Sequence, residues 1–455
     1  MEIYHSPDGQ IGEGLQLPSE LRPYQWEGVR FLVENDGVLL ADEMGLGKTV
    51  QVAVSLEILR RRQQLTRALV VVPASLKLNW ESELRRWAPS LSVQRVRGDS
   101  STRRAYFLLP IIVLVASYEE LRLDIMDFAS EVTFDVVVLD EAQRIKNPDS
   151  KSSLACRLLN RTRSWALTGT PVENKIDDLV SIFRFVKIGA LRQGLSRTEV
   201  HSRMRPHFLR RSKKDVLRDL PPIIDQELPV ELEGDQLDAY LQVWHSRLQS
   251  VGGNTQDSSA NLLSIITKLK QICNYDEVSG QSAKLNALLG ILDSHIQTGE
   301  KTIVFSQYVE TLRWLASKLT NIPLAIFHGG LDEVQRDEMV RKFRAQRGPF
   351  CLLMSLKAGG VGLNLQEAST VILFDRWWNP GIENQAVQRA HRYGRESPLH
   401  VFRFLVVDTI EERISDIIQK KQELFENYVE SADFGTPPTL NNELLKHILD
   451  VPDSS

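Results

Sequence analysis

Cysteine is scarce in this chain: Cys156, Cys273 and Cys351 lie far apart, and no Cys-x-x-Cys spacing occurs. That excludes a disulfide framework and a structural zinc site, and fits a reducing compartment. Long apolar runs are missing as well. The longest, Leu108–Ala116, is too short to cross a bilayer. The first residues, with Glu2, His5 and Asp8, lack the basic and apolar regions of a secretory signal. Charge excess is also absent, with 55 Lys and Arg against 59 Asp and Glu. No global field draws the chain to nucleic acid, so any such site has to be a local basic cleft. No solenoid-length repeat or low-complexity segment stands out. These absences leave an intracellular protein without a membrane segment, cytoplasmic or nucleoid-associated (nuclear if eukaryotic). At 455 residues and 42% hydrophobic, it has material for two globular domains.

What is present begins with Asp42-Glu43-Met44-Gly45-Leu46-Gly47-Lys48-Thr49, which ends an apolar run and opens a helical pattern. Strand, glycine-rich turn and helix carrying Gly-Lys-Thr hold nucleotide phosphates: glycines admit the backbone, and first-turn N–H groups face the anion. Lys48 would bridge the β- and γ-phosphates, and the Thr49 hydroxyl would meet Mg²⁺. The generic motif wants glycine five residues before Gly47; Asp42 stands there. Downstream, Phe134–Asp140 reads as a buried strand that ends in Asp140-Glu141. Asp140 would reach the metal, and Glu141 would orient and deprotonate the attacking water.

Short apolar strands alternate with helical patterns from Pro18 to about Leu220: Gly37–Ala41, Ala68–Pro73, Ile111–Ala116, Phe134–Asp140 and Ser164–Thr168. A second alternating block starts near Ser282, with strands at Thr302–Ser306, Pro323–Phe327, Phe350–Ser355, Thr370–Asp375 and Val401–Val407. Alternation of this kind predicts parallel sheets covered on both faces. The expected organisation is an N-terminal extension (1–17), a first lobe (18–228), a helical connector (229–281), a second lobe with a C-terminal brace helix (282–430) and a tail (431–455). The second block has no Gly-Lys-Thr of its own. It carries Gln385–Arg395, read as a helix with Gln385, Arg389 and Arg392 on one face. Two arginines on such a face can act as fingers on transition-state charge.

Together these segments resemble the Swi/Snf-type ATPases of helicase superfamily two, in order from about Leu21 to Arg413. Leu21-Arg22-Pro23-Tyr24-Gln25-x-x-Gly28 is similar to the family's adenine-reading motif, which implies a role for Gln25. Residues Asp42–Thr49 match its own form of the P-loop, with Asp42, Glu43, Met44, Gly45, Leu46 and Gly47 as nucleotide-binding positions. Leu167-Thr168-Gly169-Thr170-Pro171 resembles the motif that couples hydrolysis to lobe movement. The family-specific signatures are Ala358-Gly359-Gly360-Val361-Gly362-Leu363-Asn364-Leu365, which implies Gly360 at the nucleotide, and Trp378-Asn379-Pro380. The resemblance implies two RecA-like lobes in an α/β fold, ATP and Mg²⁺ as cofactors, double-stranded DNA as partner and a further protein that supplies targeting. Gln143 stands where many relatives carry His.

Phosphate partners are expected where strands end: Ser75, Lys77, Arg97 and Ser117 in the first lobe, and Gly329, Gly330, Lys357, Arg376, Trp377 and Trp378 in the second. The basic run Arg210–Lys214 suits a structural or DNA-approach role. The resulting expectation is a bare duplex-DNA translocase. A strand-separating helicase and a nucleotide-switched DNA-binding subunit remain alternatives.

Overall fold

The computed structural model describes residues 2–4, 15–129, 131–169, 176–217, 220–251, 259–356, 363–378, 380–392, 394–417, 419, 445 and 448–450. The chain divides into two units between Arg218 and Asp219, each built on its own sheet.

The first unit opens with an antiparallel pair, β1 (Glu2–Tyr4) and β2 (Leu15–Leu17). Then follow α1 (Pro23–Glu34), β3 (Gly37–Leu40), α2 (Lys48–Arg61), β4 (Ala68–Val72), α3 (Lys77–Trp87), β5 (Val93–Arg95), α4 (Ser100–Leu108), β6 (Val113–Ser117), α5 (Tyr118–Phe128), β7 (Thr133–Leu139), β8 (Asn160–Leu167) and β9 (Phe208–Leu209). The seven-stranded sheet runs β5-β6-β4-β7-β8-β3-β9, and every pairing is parallel. Strands β3, β4 and β6 are buried along their whole length, as continuous apolar runs must be when helices cover both faces. Parallel strands put all their carboxyl ends on one edge, and β7 is central. Turns after β4, β6 and β5 therefore lie to one side of Asp140, and those after β8 and β3 to the other.

The second unit holds β10 (Ile223–Val230), β11 (Lys301–Ser306), β12 (Leu324–Phe327), β13 (Phe350–Ser355), β14 (Thr370–Leu373) and β15 (Leu399–Val406). They form a parallel six-stranded sheet in the order β10-β15-β14-β11-β13-β12. Strand β10 corrects the expected boundary at residue 228: it pairs with β15 over its full length and belongs to the second lobe. Its residues alternate with Asp225, Glu227 and Pro229, which hid it as a strand. Proline suits an edge position, and the two acids meet Arg403 at 2.9 Å and Arg376 at 3.0 Å.

The region expected as a connector is likewise part of this unit. Helices Gly234–Val251 and Ser259–Asn274 pack Tyr240, Leu262, Ile266 and Leu269 against Val406, Ile410 and Ile414. The Lys270 ammonium donates to the Arg376 carbonyl at 2.6 Å. Residues 410–417 form the start of the expected brace helix; of 420–455 only 445 and 448–450 are described.

Candidate nucleotide site

Lys48 opens α2 directly after Gly47, whose φ of 77° lies in the left-handed region, where glycine alone is unstrained. A Cβ at residue 47 would also come within 2.6 Å of Gln25 Nε2. Gln25 thus lies against the phosphate loop and donates to the Leu46 carbonyl at 3.4 Å. The loop rests on Asp42, fully buried at its base. Arg211 donates to both Asp42 oxygens, at 2.9 and 2.5 Å. Gln51 Nε2 donates to Asp42 at 3.2 Å and to the Leu46 carbonyl at 3.2 Å. So the residue that replaces the generic first glycine is an anchor, and its carboxylate is committed to the protein rather than turned to a ligand. Two-residue strand β9 brings Arg211 there by pairing with Leu39 and Leu40, which assigns the basic run a structural role. Glu43 is tied to the same segment, accepting from the Lys213 N–H at 2.7 Å.

The Lys48 ammonium donates to the Asp42 carbonyl at 2.7 Å. Burial lowers its pKa, while Asp42, Glu141, Asp140 and Glu43 pull the other way. An anion beside it would strengthen the charged form. Met44 crosses towards β8, where a Cβ at Gly169 would lie 2.6 Å from Met44 Cγ. Glycine at 169 is required for that close approach.

Across the central strand, Asp140 accepts from the Trp80 indole N–H at 2.7 Å and from the Glu141 N–H at 2.9 Å. Its carbonyl accepts from the Tyr118 hydroxyl at 2.8 Å. Burial, then the neighbouring Glu141 charge, push its carboxyl up to about 6. Glu141 adopts φ 52°, an uncommon and costly conformation for a residue with a Cβ. Gln143 donates to Glu141 at 2.7 Å and accepts from the Thr168 hydroxyl at 2.8 Å. The end of β8 is thereby wired to Glu141. Gln143 commits an amide N–H to that carboxylate.

One sheet edge therefore gathers an ammonium, a threonine hydroxyl at Thr49, an aspartate whose carboxyl burial pushes upward and a strained glutamate. Oxygen donors of this kind suit a hard divalent cation. Sequence reasoning did not find Arg211, Gln51, Trp80 or Tyr118 as parts of the site. Trp80 and Tyr118 are buried aromatics, and only their polar tips set them apart from the rest of the core.

The expected phosphate contacts separate into two kinds. Ser75 is partly exposed, and Arg97, Gly329 and Gly330 are exposed. Lys77 is held by Glu120 and the Val96 carbonyl, both at 2.6 Å, and Ser117 caps α5 in a capping box with Glu120. Arg376 is buried between Glu227 and Glu383; Trp377 packs on the second core and Trp378 on the helical cluster. Arg376 is committed to those carboxylates, while Trp377 and Trp378 stay partly exposed. Lys357 and Gly360 lie outside the described residues.

The second-lobe arginines also differ from expectation. The helix ends at Val387 (Pro380–Val387), and residues 388–390 form turns, so Gln385, Arg389 and Arg392 do not share a helix face. Arg389 is 3% exposed and Arg392 partly exposed. Arg395 is tied to the carbonyls of Ser397 at 2.6 Å and Pro398 at 2.7 Å.

The SNF2-related domain matches residues 24–197 and 192–278, and the helicase conserved C-terminal domain matches 283–394. An uncharacterized ATP-dependent helicase of Mycoplasma pneumoniae is 38% identical over 94% of this chain and 44% of its own length. The mouse SWI/SNF-related matrix-associated actin-dependent regulator of chromatin subfamily A member 1 is 30% identical over 89% of this chain and 43% of its own. The chain thus spans under half the length of these curated relatives. The Sulfolobus solfataricus SWI2/SNF2 ATPase core, solved in complex with double-stranded DNA, is 31% identical, covers 93% of this chain and 96% of its own, and has a TM-score of 0.46. With more than half of its residues inside the first of these domains and the second following in order, this protein belongs to the SNF2-related family.

Proposed function

We propose that this chain is a DNA-dependent ATP hydrolase that translocates on duplex DNA and thereby remodels or displaces bound protein. The observation that carries the reading is the juxtaposition of Lys48 with Asp140, Glu141 and the Gln143–Thr168 relay along one sheet edge. Family membership supports the choice of substrate class.

In this reading Lys48 bridges the β- and γ-phosphates and Gln25 lies toward the base. Thr49 and Asp140 would hold Mg²⁺, which neutralises charge on the phosphates when bound. Glu141 orients a water and takes its proton as the water oxygen bonds to the γ-phosphorus and the bond to ADP breaks. Gln143 keeps Glu141 aimed. Arg389 and Arg392, supplied by the second lobe, stabilise the charge that develops in the transition state. Phosphates of one DNA strand meet Ser75 and Arg97 in the first lobe and Gly329-Gly330 in the second. A protein partner supplies targeting.

The test is ATP turnover with no nucleic acid, duplex DNA, single-stranded DNA and RNA, across a salt series. Duplex DNA should stimulate most, and stimulation should fall steeply with salt because phosphate contacts release counterions. Forked-substrate unwinding would favour a strand-separating helicase. Stimulation that appears only with an added partner would favour a nucleotide-switched subunit. Arg389→Ala should lower turnover far more than ATP affinity; an unchanged rate removes it from the mechanism.

A further inference from the structure

Two turns that follow first-lobe strands each send one aromatic side chain with a polar tip to the same residue. The turn after β4 carries Ser75 and Lys77, and α3 continues to Trp80, whose indole N–H donates to Asp140 Oδ2 at 2.7 Å. The turn after β6 carries Ser117, and the next residue, Tyr118, donates its hydroxyl to the Asp140 carbonyl at 2.8 Å. Both rings are 1% exposed, so neither has conformational slack. The turns are also fastened to each other: Lys77 pairs with Glu120 at 2.6 Å, and Glu120 closes the capping box on Ser117. Asp140 is therefore gripped by its carboxylate and by its backbone from one pre-assembled block. The phosphate loop lies beyond β7 on the other side of it. A displacement of this block along the sheet edge cannot leave Asp140 where it was.

We propose that Trp80 and Tyr118 are positioning residues that set the orientation of Asp140, so that duplex DNA seated at Ser75, on the turn after β4 and at the rim of this block, is felt at the metal-binding carboxylate. This rests on the duplex-DNA reading above and adds the route by which the polymer reaches the nucleotide. Neither residue touches substrate; each acts through Asp140. Because coupling between two bound ligands is reciprocal, DNA should tighten Mg²⁺-dependent nucleotide binding, and Mg²⁺-nucleotide should tighten DNA by the same factor.

The experiment titrates MgCl₂ into the full chain with a fluorescent, non-hydrolysable ATP analogue, with and without a blunt DNA duplex. Wild type should show a half-saturating Mg²⁺ concentration lowered about five-fold or more by DNA, the lower end of ordinary allosteric coupling. Tyr118→Phe deletes one oxygen and keeps the ring; Trp80→Phe deletes the indole N–H at some cost in packing. In both, the DNA effect should shrink below about two-fold, while the duplex alone still binds in the absence of nucleotide. Trp165→Phe removes an equally buried indole from β8 with no bond to Asp140 and should keep the wild-type coupling. The proposal is overturned if wild type shows no DNA effect on the Mg²⁺ requirement, or if Tyr118→Phe keeps it in full. It is also overturned if Trp165→Phe abolishes the effect as thoroughly as Trp80→Phe. Failure of the functional reading is seen separately, as wild-type ATP turnover that duplex DNA does not raise.

Discussion

Asp140 and Asp375 occupy similar places in the two lobes, each just past a buried parallel strand, and they are treated in opposite ways. Asp375 is fully buried and accepts from the Ser306 hydroxyl, from Asn274 Nδ2 at 3.1 Å and from the Gln307 N–H at 3.0 Å. Around it, Lys284 pairs with Glu411 at 2.6 Å, both wholly buried. Glu383 joins Arg376 and Arg403. That edge is closed by its own ions. Asp140 has two donors on its carboxylate, stands beside Glu141 and is pushed up to about 6. A charge that its own protein leaves uncomfortable is available to a cation; one that is fully bonded is framework. The same strand-end position is the proposed reaction centre in one lobe and a clamp in the other.

The clamp gives the largest effect with which to break this contrast. Lys284→Met leaves Glu411 as a lone buried charge and should cost roughly 3–5 kcal/mol in denaturant unfolding of the second lobe. Adding Glu411→Leu should recover most of that loss, because paired removal is close to neutral. If the single change is harmless, the closed-network description fails. The matching test in the first lobe is Lys48→Ala, which should cut ATP turnover by about 10²–10³-fold, the scale of a lost transition-state donor, with unfolding nearly unchanged.

A smaller effect is expected at the base of the phosphate loop. Arg211→Lys keeps the charge but loses the forked contact to Asp42, and should weaken folding by about 2 kcal/mol, as for other bonds to charged groups. Nucleotide affinity should fall with it. The smallest effect is a pH dependence. With a folded value of about 6 against 3.8, the nucleotide-free lobe holds more protons than the unfolded chain between those limits. Its stability should therefore decline as pH rises through that window. Mg²⁺-nucleotide binding must expel that proton, so affinity should drop as pH falls below about 6, up to tenfold per unit. Asp140→Asn should flatten the stability profile, read by thermal melting across pH.

Much of the first lobe was legible because β3, β4 and β7 are short apolar runs with the phosphate loop and the acidic pair at their ends. The sequence signal lapsed where ions replace apolar contacts. Strand β10 hides behind Asp225, Glu227 and Pro229, since its partners are arginines from distant positions. Residues 388–390 keep helical-looking composition, yet the chain turns there, with the Arg389 carbonyl accepting from the Leu365 N–H at 3.0 Å. Arg376 and Ser117 were placed correctly along strands but given outward roles. Their inward partners, Glu227, Glu383 and Glu120, are invisible in a one-dimensional pattern.

The left-handed backbone at Glu141 has a practical corollary for directed evolution. Glycine or asparagine would relax that geometry, gaining a fraction of the 1–3 kcal/mol typically stored in such a conformation. A library screened only for heat tolerance would accordingly enrich inert variants at this codon, and selection for thermostability would need a turnover assay beside it.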